Sequence, residues 1–126
     1  MTVDRDTFSR ILRNVAQRDT SADPKHWTEH NPLWGHCAVA SVLAQEYLGG
    51  KLMCGSLAHI SKYAHLRSHY WNALADGTQI DFTKDQYSDL TFQQLEGEER
   101  DSGRVLSQPD TIRRYRLLKE RFKNLV

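Results

Sequence analysis

Three residues of the sequence have the types and the order of a thiol catalytic site. Cys37, His69 and Asp81 occur in that order along the 126 residues. A cysteine nucleophile needs an imidazole that takes up its proton and later returns it. The imidazole needs a carboxylate or an amide that fixes its tautomer. We therefore expect Cys37 to act as nucleophile, His69 as general base and acid, and Asp81 as the orienting carboxylate.

Cys37 opens the apolar segment CAVASVLAQEYL and directly follows Gly35-His36. If a helix begins at Cys37, its unpaired backbone N–H groups carry partial positive charge. Those groups stabilise a thiolate and can hold the negative oxygen of a tetrahedral intermediate. Two alternatives stay open. Asn31-Pro32 could start the helix and leave the thiol one turn deeper, and a cysteine on a buried helix is usually an inert apolar residue.

The loop between two predicted strands decides whether His69 and Asp81 can meet. Asp76-Gly77 is a strong hairpin signal between apolar segments. A two-residue turn would put His69 and Asp81 on opposite faces of the hairpin. A three-residue loop at 75–77, with its glycine in the left-handed region, places Trp71 opposite Asp81 and His69 on the same face. We predict the three-residue loop.

The remaining segments predict an α+β domain that covers residues 1–126. Apolar spacing indicates helices at 4–17, at 37–48 and from Pro109 onward, and short strands at 51–54, 69–75 and 78–83. Residues 56–68 fit either a short helix or a loop, and the polar segment 84–108 is expected to run over the surface. The central helix that starts at Cys37 would pack on a small antiparallel sheet, between N- and C-terminal helices.

Composition limits the classes of partner. Hydrophobic residues make up 39% and charged residues 26%, which is typical of one globular domain. The net charge of +1 gives no reason to expect a nucleic-acid partner. No apolar run approaches the roughly 18 residues of a membrane helix, and MTVDRDTFSR lacks the apolar stretch of a secretion signal. Two cysteines are too few for a disulfide scaffold. We predict a cytoplasmic protein with free thiols and no membrane partner.

Histidine pairs offer a weaker, competing hypothesis of a zinc protein. His26 and His30 are four residues apart, as are His65 and His69. Such pairs bind zinc when they lie on a helix. No H-E-x-x-H or C-x-x-C pattern accompanies them, and no glycine-rich phosphate loop is present. We predict no metal site and no cofactor.

Several motifs together resemble the YunG-like family of small bacterial proteins. They are W-T-x-x-N-P-x-x-G-x-C at 27–37, the glycine pair at 49–50, H-Y-W-N at 69–72, I-D-F-T-K-D-Q at 80–86 and R-R-Y-x-L-L-K-E-R at 113–121. The resemblance covers most of the chain. It implies a fold and brings no activity with it.

A more distant resemblance concerns chemistry. A Cys at a helix start, a His-x-Trp on a strand and an Asp-x-Thr on the next strand resemble papain-like enzymes, in particular their transglutaminase-like and arylamine-acetyltransferase branches. That resemblance implies a papain-like core and acyl transfer or hydrolysis of an amide, peptide or thioester through a thioester on Cys37. The chain departs from the pattern at His36, where a glutamine that serves the oxyanion is expected.

The substrate side of this site is expected to include His36, Trp34, Trp71 and Asn31. Aromatic rings supply apolar contact with one polar handle each, and the alternative for them is ordinary core packing. The function predicted is a thiol hydrolase or acyltransferase acting on a small-molecule or peptide substrate. The main alternative is a binding module that keeps the same cleft without catalysis.

Overall fold

The computed structural model of the protein describes residues 3–126, and this part of the chain forms four α-helices and four β-strands. The helices are α1 (Arg5–Val15), α2 (Cys37–Leu48), α3 (Ser102–Val105) and α4 (Pro109–Leu125), and the strands are β1 (Lys51–Ser56), β2 (Ser68–Ala73), β3 (Gln79–Ile80) and β4 (Gly97–Glu99). The α+β class predicted from the sequence is confirmed. Among these residues, no helix is both long enough and apolar enough to cross a lipid bilayer.

The strands form one antiparallel sheet in the order β3-β2-β1-β4. β1 and β2 pair along their whole length, from Lys51 opposite Ala73 to Ser56 opposite Ser68. β4 pairs with β1 at the edge of the sheet and lies in the segment 84–108, which was expected to run over the surface. Gly97–Glu99 is exposed, as expected, but its strand was not predicted because the segment has no apolar alternation. Backbone pairing with β1 alone makes it a strand.

The hairpin between β2 and β3 has the predicted three-residue loop. Asn72 pairs with Ile80, and the Leu74 N–H donates to the Thr78 carbonyl at 2.8 Å. Gly77 closes the loop with φ at +88°, a value that L-residues with side chains rarely adopt. One step further along, this register sets Trp71 opposite Asp81. β3 is shorter than predicted because the chain leaves the sheet after Ile80.

The larger hydrophobic core lies around α2, which is buried from Val39 to Ala44 and packs on β2. Its apolar residues extend nearly all the way round the helix, so it needs neighbours on several sides. α1 and α4 supply them, and the rings of Phe8 and Phe122 meet with centroids 5.1 Å apart. The ring of Phe82, just after β3, packs against that of Phe8 with the centroids 4.7 Å apart. Both terminal helices therefore hold α2 in place.

A second, smaller cluster surrounds Trp71. Its other buried members are Leu57, Tyr63, Tyr87, Leu90 and Leu95. These residues come from the two long connections, between β1 and β2 and between β3 and β4. The cluster thus fixes irregular segments of the chain against β2, next to the residues that carry the candidate chemistry.

Candidate active site

His69 and Asp81 form a buried hydrogen-bonded pair. The imidazole Nε2 lies 2.6 Å from the carboxylate Oδ2, and the side chains are only 1% and 4% exposed. An ionised carboxylate only accepts, so Nε2 carries the proton in this bond. The other ring nitrogen, Nδ1, is buried and has no hydrogen-bond partner within residues 3–126. The pair therefore presents one unused nitrogen of an oriented imidazole.

Electrostatics favour the charged form of His69. Burial by itself lowers the pKa of the imidazole, because it removes water from the cation. The hydrogen bond that Nε2 donates to Asp81 and the neighbouring Cys37 side chain outweigh burial and raise the pKa of His69 to about 10. The ring is consequently an imidazolium at neutral pH, with the Cys37 side chain as a neighbour and the Asp81 carboxylate as its hydrogen-bond acceptor.

Cys37 is the first residue of α2, as the sequence predicted. The segment before it is not helical: Thr28 and Asn31 form an isolated bridge, which excludes a helix start at Asn31-Pro32. The side chain of the preceding residue, His36, does not cap the helix. Backbone N–H groups of the first turn therefore lie beside the thiol without a side-chain acceptor from that residue. Cys37 is partly exposed, whereas Cys54 is buried.

A cleft of about 240 Å³ gives access to Cys37. Tyr70, Tyr87, Gln86 and Arg67 contribute to its walls. The Tyr87 ring stands edge-on to His69, with the centroids 5.2 Å apart. Burial, and then the charges of Cys37 and Asp81, raise the pKa of the Tyr87 hydroxyl, so it stays protonated and can donate. The thiol is thus reachable from outside while the imidazole behind it is sealed.

The model of the YunG protein family matches residues 4–126. The chain belongs to the YunG family. No curated protein and no solved structure matches the chain significantly. The family resemblance seen in the sequence motifs is confirmed, and the papain-like resemblance has no counterpart in these comparisons.

In this YunG-family chain, two residues that the sequence analysis did not identify connect the Asp81 carboxylate to the loop at 18–36, which precedes Cys37. Thr83 donates to Asp81 Oδ1 through both its backbone N–H, at 3.0 Å, and its hydroxyl, at 3.1 Å. Gln86 donates to the Thr83 hydroxyl at 2.9 Å and accepts from the Gly35 N–H at 3.1 Å. Thr83 and Gln86 both lie in the motif I-D-F-T-K-D-Q at 80–86. Nothing else in the sequence indicated a role for them, because polar residues are common in surface segments.

Gly35 is held where no other residue fits easily. Its φ is +76°, and a Cβ built there would lie 2.2 Å from the Ser21 hydroxyl. The Ala22 N–H also donates to the Gly35 carbonyl at 2.9 Å. The long loop at 18–36 is thus folded back onto its own beginning. That packing fixes the chain two residues before the thiol.

The His36 side chain does not have the role expected for it. The ring is fully buried, Nδ1 donates to the Trp34 carbonyl at 2.9 Å, and Nε2 lies 2.6 Å from the Thr20 hydroxyl. Burial lowers the pKa of this imidazole to about 4, so it is neutral. Nε2 then accepts from Thr20, and neither nitrogen has a proton to offer an oxyanion. His36 anchors the start of α2 to the loop instead.

The tryptophans and Asn31 support the site from behind. Trp71 is 2% exposed, and its indole N–H donates to Gln79 Oε1 at 2.8 Å. Its ring stacks on that of His69 with the centroids 6.0 Å apart. Such a ring orients the imidazole and is not available to a substrate. Asn31 donates to the Gln86 carbonyl at 3.1 Å. Trp34 is partly exposed, and its ring stands edge-on to that of Tyr87 with the centroids 5.9 Å apart. Of the residues expected to contact a substrate, it therefore has the most suitable position.

The histidine pairs considered for zinc do not assemble a site in the described part of the chain. No three His, Cys, Asp or Glu side chains of residues 3–126 come together in metal-binding geometry. His26 instead pairs with the Asp23 carboxylate at 2.9 Å.

Proposed function

We propose that the protein is a thiol enzyme that hydrolyses or transfers the acyl group of an amide, peptide or thioester. One observation carries the proposal: a buried His69–Asp81 pair with an unpartnered Nδ1 lies beside the partly exposed thiol of Cys37 at a helix start. A thiol next to an imidazolium is the arrangement that activates cysteine nucleophiles. Hydrogen bonds through Thr83 and Gln86 hold the Asp81 carboxylate in a fixed position relative to Gly35, in the loop that precedes Cys37.

The chemistry follows from these positions. In the reactive pair the proton of the Cys37 thiol is already held on Nδ1 of His69, and the resulting thiolate attacks the carbonyl carbon of the substrate. The first N–H groups of α2 stabilise the oxyanion that forms. When the intermediate collapses, the proton on His69 passes to the departing amine or thiol, and the acyl group remains on Cys37 as a thioester. Water or another nucleophile, deprotonated by His69, then releases the acyl group and restores the thiol.

We also propose that α2, β2 and β3 are a reduced papain-like core. The support is the order of its parts: a nucleophile at a helix start, a histidine on the strand packed against it, and a carboxylate at the end of the next strand. The order of these parts supports an acyl-transfer reaction only by analogy with papain-like enzymes. The geometry of Cys37, His69 and Asp81 supports the same reaction without that analogy.

Selective alkylation tests the enzyme proposal. At a pH of about 6.5, iodoacetamide should label Cys37 about 10-fold faster than Cys54, because the imidazolium stabilises the thiolate. The labelled peptides are quantified by mass spectrometry over time. His69→Gln should slow labelling of Cys37 to the rate of an ordinary thiol. His59→Gln, which changes an exposed histidine outside the Cys37 cleft, is the matched control and should leave the rate unchanged.

A binding module with the same cleft is the second candidate. The observation that favours it is His36, whose ring supplies no oxyanion donor. In that case Cys37 and Cys54 would be labelled slowly after a correction for exposure, and His69→Gln would change neither rate. If the protein is a binding module, incubation with an activated thioester would also leave no acyl group on Cys37.

A further inference from the structure

A second cavity adjoins the Cys37 cleft and has a distinct chemical character. Its volume is about 380 Å³, and it is lined by Ala38, Tyr70, Arg100, Arg104, Ser107 and Thr111 among others. No Asp or Glu of the described residues 3–126 is among its lining residues. A concave surface lined by two guanidinium groups and several hydroxyl groups, with no carboxylate among its lining residues, is complementary to an anion.

The two cavities have a common wall. Ala38 and Tyr70 line both of them, and Ala38 directly follows Cys37 in α2. A molecule with its carbonyl carbon at the thiol can therefore extend over Tyr70 toward the arginines. The substrate of the thiol and the ligand of this cavity can be two parts of one molecule.

The arginines are available for a ligand. Arg104 is exposed and forms no ion pair within residues 3–126, although its backbone N–H donates to Asp101. Arg100 pairs with Glu98 at 3.3 Å, but the Glu98 side chain is 74% exposed, and ion pairs of that kind are weak. A bidentate anion can replace such a partner.

We propose that this cavity binds an anionic group, a carboxylate or a phosphate, of the molecule whose acyl group reacts at Cys37. The link to acyl chemistry rests on the proposed function. Binding of the anion rests on Arg100 and Arg104 alone. The substrate class is accordingly an acyl compound with an acidic group a short distance from its carbonyl carbon.

Calorimetric titration of the full chain with inorganic phosphate, and separately with acetate, tests the anion site. Wild type and Cys37→Ser should bind with equal affinity, and the tighter of the two anions identifies the acidic group. Arg104→Gln should weaken binding about 10-fold, and the double variant with Arg100→Gln should abolish it. Arg116→Gln changes an exposed arginine of α4 outside the cavity and should bind as wild type does. Affinity that is unchanged in the double variant would overturn the site.

A pair of alkylating reagents tests the link to the thiol. Iodoacetate carries a carboxylate and iodoacetamide does not, so the ratio of their rates at Cys37 reports the local positive charge. Arg104→Gln should lower the iodoacetate rate and leave the iodoacetamide rate unchanged, and phosphate should compete only with iodoacetate. A ratio equal in both proteins overturns the link while the enzyme proposal stands. Anion binding with an unreactive Cys37 overturns the enzyme proposal while the anion site stands.

Discussion

At the scale of single residues, the buried His69–Asp81 pair is the feature with the largest physical consequence. The ordinary pKa of a histidine is 6.5, and in the folded protein that of His69 is raised to about 10. The folded state therefore binds this proton more tightly than the unfolded chain does. The resulting stabilisation is complete below a pH of 6.5 and is lost as the pH rises toward 10.

The substitution Asp81→Asn makes this pH dependence measurable. It removes the carboxylate and leaves a buried imidazole without its charged partner, which costs about 3–5 kcal/mol. We expect the difference in unfolding free energy between wild type and variant to be largest near the pH of 6.5 and to shrink as the pH approaches 10. Urea unfolding at a series of pH values provides the measurement.

An exposed histidine supplies the comparison for that experiment. His30→Gln alters a side chain at the surface and should keep the pH dependence of wild type. A difference between wild type and Asp81→Asn that is constant across the pH range would contradict the protonated pair described here. A titration of the His69 ring followed by NMR gives the same answer directly.

At the scale of elements, the edge strand β4 positions the site although none of its side chains reaches the thiol. A Cβ built on Gly97 would lie 2.4 Å from an atom of the Trp71 ring. That ring is buried and stacks between the rings of His69 and Phe92, with centroid distances of 6.0 Å and 5.4 Å. β4 can therefore lie over Trp71 only because it has no side chain at this point.

Gly97→Ala should displace Trp71 and the imidazole with it. We expect a loss of about 1–3 kcal/mol in unfolding free energy, as for other overpacked sites, together with slower alkylation of Cys37. Glu99→Ala changes an exposed residue of the same strand and should alter neither quantity. Unfolding in urea and the alkylation rate are both measured on each variant. Normal reactivity in a destabilised Gly97→Ala would show that Trp71 does not orient His69.

At the scale of the whole molecule, the first and last helices enclose the helix that begins with the nucleophile. Phe8 and Phe122 are fully buried, and the C-terminal helix contributes a further ring contact of 4.8 Å between Phe122 and Tyr47 of α2. The chain ends thus complete the core that holds α2. The stability of the site depends on residues far from the chemistry.

Phe122→Ala should lower the unfolding free energy by about 3–5 kcal/mol, because it opens a cavity between three helices. Leu125→Ala lies on the same helix but its side chain is 56% exposed, so a change within about 0.5 kcal/mol is expected. Urea unfolding compares the two. Cys37 in folded Phe122→Ala should react as in wild type, and equal losses in the two variants would contradict this view of α4.

The sequence predicted those elements whose own residues determine them. The apolar segment after His36 placed the start of α2 at Cys37, and that signal is local. Asp76-Gly77 predicted the hairpin but was compatible with two registers. The observed register was chosen because it allows His69 and Asp81 to share a face.

The features that escaped prediction depend on distant partners. β4 exists because β1 offers an edge, and its exposed residues carry no pattern. Gln86 acquires its role from Gly35, 51 positions earlier in the chain. His36 was assigned to the oxyanion because it precedes Cys37, yet its ring is directed by Thr20 in the preceding loop. Adjacency in sequence did not determine where these side chains point.

The short connection between β2 and β3 also restricts how the gene can change. Its residues at 75–77 are exposed, so Ala75 can be replaced freely, whereas Gly77 has a positive φ and Asp76 accepts from the Thr78 N–H at 2.9 Å. Gain or loss of one codon is different, because every later residue of the returning strand would swap sides and Asp81 would leave the imidazole. Insertions and deletions should therefore be selected against here even where substitutions accumulate.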